Sequence, residues 1–152
     1  MYKKTIIATI ILAIFLINVS GLNTQTPLGT SKEIKSPNDH IKEEQIHVYK
    51  DKIVIDIEDA TWARFTDTNS MDPVIDINSN SIEIKPKKES QLKVGDIISF
   101  KEETHIIVHR IILIDYDQEG WYAVTKGDNN EKVDPNKVRF KQIHGIVIAI
   151  IY

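Results

Sequence analysis

Isoleucine and valine recur through the latter two-thirds of the chain in short runs with a period near two, the pattern of strands that bury one face. Residues 53–57 and 82–85 alternate or nearly so, and Lys50-Asp51-Lys52 reads as a turn between two short strands. Residues 61–66 predict another strand, with Ala63 and Phe65 on one face and Trp62 and Arg64 on the other. Further strands are predicted at 97–100, 105–114, 121–125 and 143–151, and polar turns at 101–104 and 115–120 separate them. Short strands at this spacing predict an all-β body over residues 46–152.

Upstream the pattern changes twice. Residues 23–45 are polar, contain Pro27, Gly29 and Pro37, and hold neither a period of 2 nor one of 3.6, so they read as a tether. Residues 5–22 carry no charge over 18 positions and follow Lys3 and Lys4. As a helix such a run spans roughly 27 Å, enough for the core of a lipid bilayer. Lysines ahead of it hold the amino terminus in the cytoplasm, which predicts a single-pass protein with an extracytoplasmic body. Val19-Ser20-Gly21 also imitates a small-residue cleavage site, so residues 1–22 are expected to be a membrane anchor or, alternatively, a signal peptide.

Composition narrows the chemistry. The 152 residues include no Cys, which removes disulfides, thiolate metal sites and a Cys nucleophile. A net charge of −3 gives no electrostatic reason to expect nucleic acid as a partner. His105 and His109 would share a strand face, but no third ligand has suitable spacing, so neither a metal nor a cofactor is expected.

Three stretches hold the parts of an acyl-transfer triad. Ser70 lies between the turn-former Asn69 and the φ-restricting Pro73, His109 stands inside an apolar strand, and Asp128 and Asp134 are loop carboxylates. Taken singly, each has an ordinary structural explanation as turn, packing or cap.

Together they resemble the signal peptidase I family, in its archaeal and endoplasmic-reticulum form, across about residues 66–150. Ser70-Met71-Asp72-Pro73 is similar to the Ser-Met-x-Pro nucleophile box of that family, and Val94-Gly95-Asp96 to its Val-Gly-Glu/Asp strand. Val108-His109-Arg110 resembles its Val-His-Arg box, and Thr125-Lys126-Gly127-Asp128-Asn129-Asn130 its Thr-Lys-Gly-Asp-Asn-Asn box. The resemblance implies a small mixed β-sheet or partly open barrel of the signal-peptidase type, preceded by one transmembrane helix. It also implies that Ser70 attacks, His109 is the base and Asp134, six residues after Asp128, orients the imidazole. Asp128 is then a supporting or secondary acid. The Ser70 backbone N–H and the Thr68 hydroxyl would hold the oxyanion.

The sequence departs from the family in two places. Ser70 lies 48 residues beyond Leu22, whereas the family's nucleophile follows its membrane helix closely, and residues 75–81 intervene before the next strand. Arg110 is expected on the opposite face from His109, in an ion pair, and Lys126 at the loop surface or beside the carboxylates. The expected function is a membrane-anchored serine endopeptidase acting on secreted or membrane precursors with small residues near the cut. The alternative is a noncatalytic module that binds extended precursor peptides by strand addition.

Overall fold

The computed structural model describes residues 33–152, so the apolar run at 5–22 and the first part of the 23–45 stretch lie outside the described residues. Nine strands follow in order: β1 Ile46–Val48, β2 Ile53–Ile55, β3 Ala60–Arg64, β4 Asn80–Ile84, β5 Ile97–Glu102, β6 His105–Asp117, β7 Gly120–Lys126, β8 Val138–Arg139 and β9 Ile143–Ile151. The only helical pieces among the described residues are three single 3₁₀ turns, and none is long and apolar enough to cross a membrane.

Strands β1 and β2 form their own antiparallel hairpin across the 50–52 turn. The other seven make one sheet in the order β3-β4-β9-β5-β6-β7-β8. Every pairing is antiparallel, which corrects the expected mixed sheet, and the sheet stays open rather than closing into a barrel. Hairpin connections explain the difference: β5–β6 and β6–β7 join through two-residue loops, which can only return the chain antiparallel. The second of these is shorter than the 115–120 turn expected, because pairing continues to Asp117 and Gly120.

Strand β5 lies at the centre of the sheet and reads Ile-Ile-Ser-Phe without a break, as a strand covered on both faces must. Ile98 and Phe100 enter a large cluster with Leu92, Ile111, Trp121 and Ile146, while Ile97 turns to the opposite face and meets Met71, Ile75 and Val147. Register shifts interrupt β9 against both neighbours, between Ile82 and Glu83 on β4 and between Ser99 and Phe100 on β5. Such bulges bend a strand and re-aim the adjacent side chains.

The chain ahead of β1 is bound to this body. Asn38 N donates to Asp96 Oδ1 at 2.8 Å, and His40 Nε2 lies 3.1 Å from the same oxygen. Gly95 has φ +109°, and a Cβ there would come within 2.1 Å of the Ser36 carbonyl oxygen, so glycine meets both the conformation and the close approach. Asp96 is fully buried and also accepts from Lys93 N. Its burial raises the carboxyl pKa, but the His40 contact and the two backbone donors outweigh this and hold it below the usual range.

Candidate active site

Ser70 opens a turn whose backbone is tied by Val74 N to Met71 O at 2.9 Å and Ile75 N to Met71 O at 3.0 Å. Asn69 takes φ 54°, the left-handed conformation that Asn tolerates better than most residues. Met71 and Ile75 from this turn are buried against Ile97 and Val147. Each such burial is worth roughly 1.5–3 kcal/mol, enough to fix the turn to the sheet while Ser70 itself stays half-exposed.

The loop after β7 closes over the same turn. Asn129 N donates to Ser70 O at 2.9 Å, Asn129 Nδ2 to Asn69 O at 2.9 Å, and Asp128 N approaches Met71 Sδ at 3.4 Å. Gly127 is the tight point, because a Cβ there would meet the Ser70 carbonyl oxygen at 2.5 Å and the Asn130 side chain at 2.7 Å. Gly127→Ala is therefore expected to push the Ser70 turn outward and to destabilise the fold by about 1–3 kcal/mol. Urea denaturation checks the stability change; an unchanged midpoint would mean that the loop yields without moving the turn.

His109 is buried on β6, and its Nδ1 lies 2.7 Å from Asp134 Oδ2. The same oxygen accepts the Thr125 hydroxyl at 2.6 Å, and Asp134 N returns to Thr125 O at 2.9 Å. Burial raises the Asp134 pKa, but the hydrogen bonds from His109 and Thr125 and the charges of His109 and Lys126 more than offset it. The carboxyl group is thus an anion near neutrality and only accepts. Nδ1 of His109 must carry the proton, which leaves the Nε2 lone pair as the basic atom of the neutral ring.

Ser70, Thr68 and His109 all line one cleft of about 790 Å³. Ser70 Oγ is 3.2 Å from Thr68 Oγ1 and makes no hydrogen bond to His109. Among the described residues the Ser70 N–H has no protein acceptor, so it is free to donate into the cleft. The arrangement brings two neighbouring hydroxyls, a backbone N–H without a protein acceptor among the described residues and an imidazole oriented by a carboxylate to one locality.

Asp128 stands apart from that cluster. It takes a bidentate pair from Arg110, Nε to Oδ1 at 2.8 Å and NH2 to Oδ2 at 2.6 Å, while Arg110 NH1 donates to Gly95 O at 2.9 Å. Arg110 thus makes the ion pair expected of it, and Asp128 reaches the site only through the loop it holds. His105 is exposed and bonds to Thr104, and the described residues contain no cluster able to hold a metal ion.

Two features of the site have no counterpart in the sequence reading. Thr125 supports Asp134 from a fully buried position. Glu83, also buried, lines the cleft between two serine hydroxyls. The chain matches no protein-family model, no curated protein and no solved structure.

Proposed function

We propose that the protein is a membrane-anchored serine endopeptidase resembling signal peptidase I, with the antiparallel sheet as its peptidase-type body. The observation that carries this reading is the 2.7 Å contact from Asp134 to His109, which lines the same cleft as Ser70. The reading requires the Ser70 hydroxyl to turn from Thr68 to His109 Nε2, which would accept its proton as Oγ attacks the scissile carbonyl. Asp134 then stabilises the imidazolium, and the Ser70 N–H and the Thr68 hydroxyl hold the oxyanion. The imidazolium returns its proton to the leaving amine, and water, activated by the same base, releases the acyl group from Ser70.

Substrates in this reading are secreted or membrane precursors, bound in extended form by strand addition, with small side chains next to the cut. The uncharged run at 5–22 behind two lysines supports a single-pass anchor with the body outside the cytoplasm. A second reading rests on the Ser70–Thr68 contact: with Oγ held there instead of at His109, the cleft binds precursor peptides without cutting them.

Incubation of the full chain in detergent with a purified preprotein separates the two. The peptidase reading requires a discrete cut that Ser70→Ala abolishes. Saturable binding without a cut by the unsubstituted protein would establish the module instead.

A further inference from the structure

The cleft contains a buried carboxylate for which the proposed chemistry has no use. Glu83 on β4 is only 5% exposed, yet it lines the cleft together with Ser99. Its two oxygens each accept one serine hydroxyl, Oε1 from Ser81 at 3.1 Å and Oε2 from Ser99 at 2.6 Å. A carboxylate offers about four acceptor positions, so roughly half of its capacity is unused. Lys85, Arg64 and His144 also line the cleft, but none of them forms an ion pair with Glu83.

Neutral hydroxyls are weak compensation for a buried charge, whose removal from water is costly unless a cation meets it. The surroundings are nevertheless built to keep it. Ser99 pairs with Gly145, where a Cβ would lie 2.6 Å from Glu83 Oε2, so the absence of a side chain at 145 leaves the carboxylate its space. The register shifts beside Glu83 and Ser99 place their extra residues, Ile148 and His144, on β9, so β4 keeps its pleat and Ser81 and Glu83 share one buried face.

We propose that Glu83 is the specificity-determining group of the cleft, accepting the ammonium or guanidinium of a basic side chain on the bound polypeptide. The substrate supplies the cation that none of the described residues supplies, while small residues occupy the positions beside Ser70. The inference rests on the proposed reading for the polypeptide nature of the ligand, but not on catalysis.

The test uses full-chain protein carrying Ser70→Ala, so that a bound peptide is not consumed. Fluorescent alanine-rich peptides carry a single Lys, or its uncharged isostere norleucine, stepped through each position, and binding is read by anisotropy. At one position Lys should bind about 10- to 100-fold more tightly than norleucine, the range of one charge-assisted hydrogen bond. Adding Glu83→Gln should remove that preference and leave norleucine binding unchanged. Equal affinities at every position, a preference that survives Glu83→Gln, or no binding by any peptide overturns the proposal.

Should Glu83→Gln not fold, carbodiimide coupling in the Ser70→Ala protein replaces it. The peptide Lys should then join to Glu83, whereas coupling to Asp76, the other carboxylate of the cleft, overturns the assignment. Protein with Ser70 intact that binds the Lys peptide selectively but never cuts it would remove the peptidase reading and leave Glu83 in its role.

Discussion

Single replacement of Ser70, His109 or Asp134 by Ala is expected to lower kcat by roughly 10⁴-fold or more, and double replacements to cost scarcely more than the worse single one. In the proposed mechanism the three side chains depend on one another and do not contribute separately. Without Asp134 the His109 ring loses the acceptor that fixes its tautomer, and without His109 the Ser70 hydroxyl loses the carboxylate-oriented base of the proposed mechanism. Rates on a cleaved preprotein, with thermal melts to show that each variant folds, decide the matter. Multiplying losses would mean that the residues act independently, and an Asp134→Ala enzyme with near-normal turnover would exclude Asp134 as the orienting acid.

Asp128→Ala should act on a different quantity. Its carboxylate and the Arg110 guanidinium are each about 8% exposed in their side chains, so removal of one leaves the other charged, buried and short of partners. Breaking a buried pair in this way costs about 3–5 kcal/mol, a large share of the roughly 5–15 kcal/mol that holds a typical domain together. Urea denaturation should show that loss, and the double variant Arg110→Met with Asp128→Leu should recover most of it, because no orphaned charge remains. Asp134→Ala should lose more activity than Asp128→Ala when both are assayed under conditions where they are folded. An Asp128→Ala protein as stable as its parent would show that solvent reaches Arg110 freely.

The β-rich body was legible because its signals are local. The run at 97–100 and the alternation elsewhere follow from which faces are buried, and the predicted strands at 61–66, 82–85 and 143–151 overlap β3, β4 and β9. Strand β8 was missed because two residues bear no period; they pair with Ala123 and Tyr122 only through the fold. Glu83 was hidden for a stronger reason. In β4 the usual alternation is inverted, with Ser81 and Glu83 buried and Ile82 and Ile84 only partly so, whereas pattern reading assigns the apolar positions to the inside.

The candidate site divides along the same line. The roles proposed for Ser70, His109 and Asp134 came from the order of boxes along the chain, and the geometry that brings the three to one locality depends on distant pairings. Thr125 reads in sequence as an ordinary strand residue, and its hold on Asp134 needs the loop to fold back over nine positions. Asn129, equally ordinary as a turn residue, ties its loop to the Ser70 turn across 60 positions.

The attachment of Asn38 and His40 to Asp96 also decides how the protein carries mechanical load. A pull on the chain from its amino-terminal side meets the body at residues 36–40, before it reaches the β1–β2 hairpin. Gly95 and Asp96 lead directly into β5, the central strand of the seven, so tension enters the sheet at its middle strand instead of peeling an edge. The hairpin lies outside that line of force until the Asp96 contacts part, and Ser70 lies beyond it.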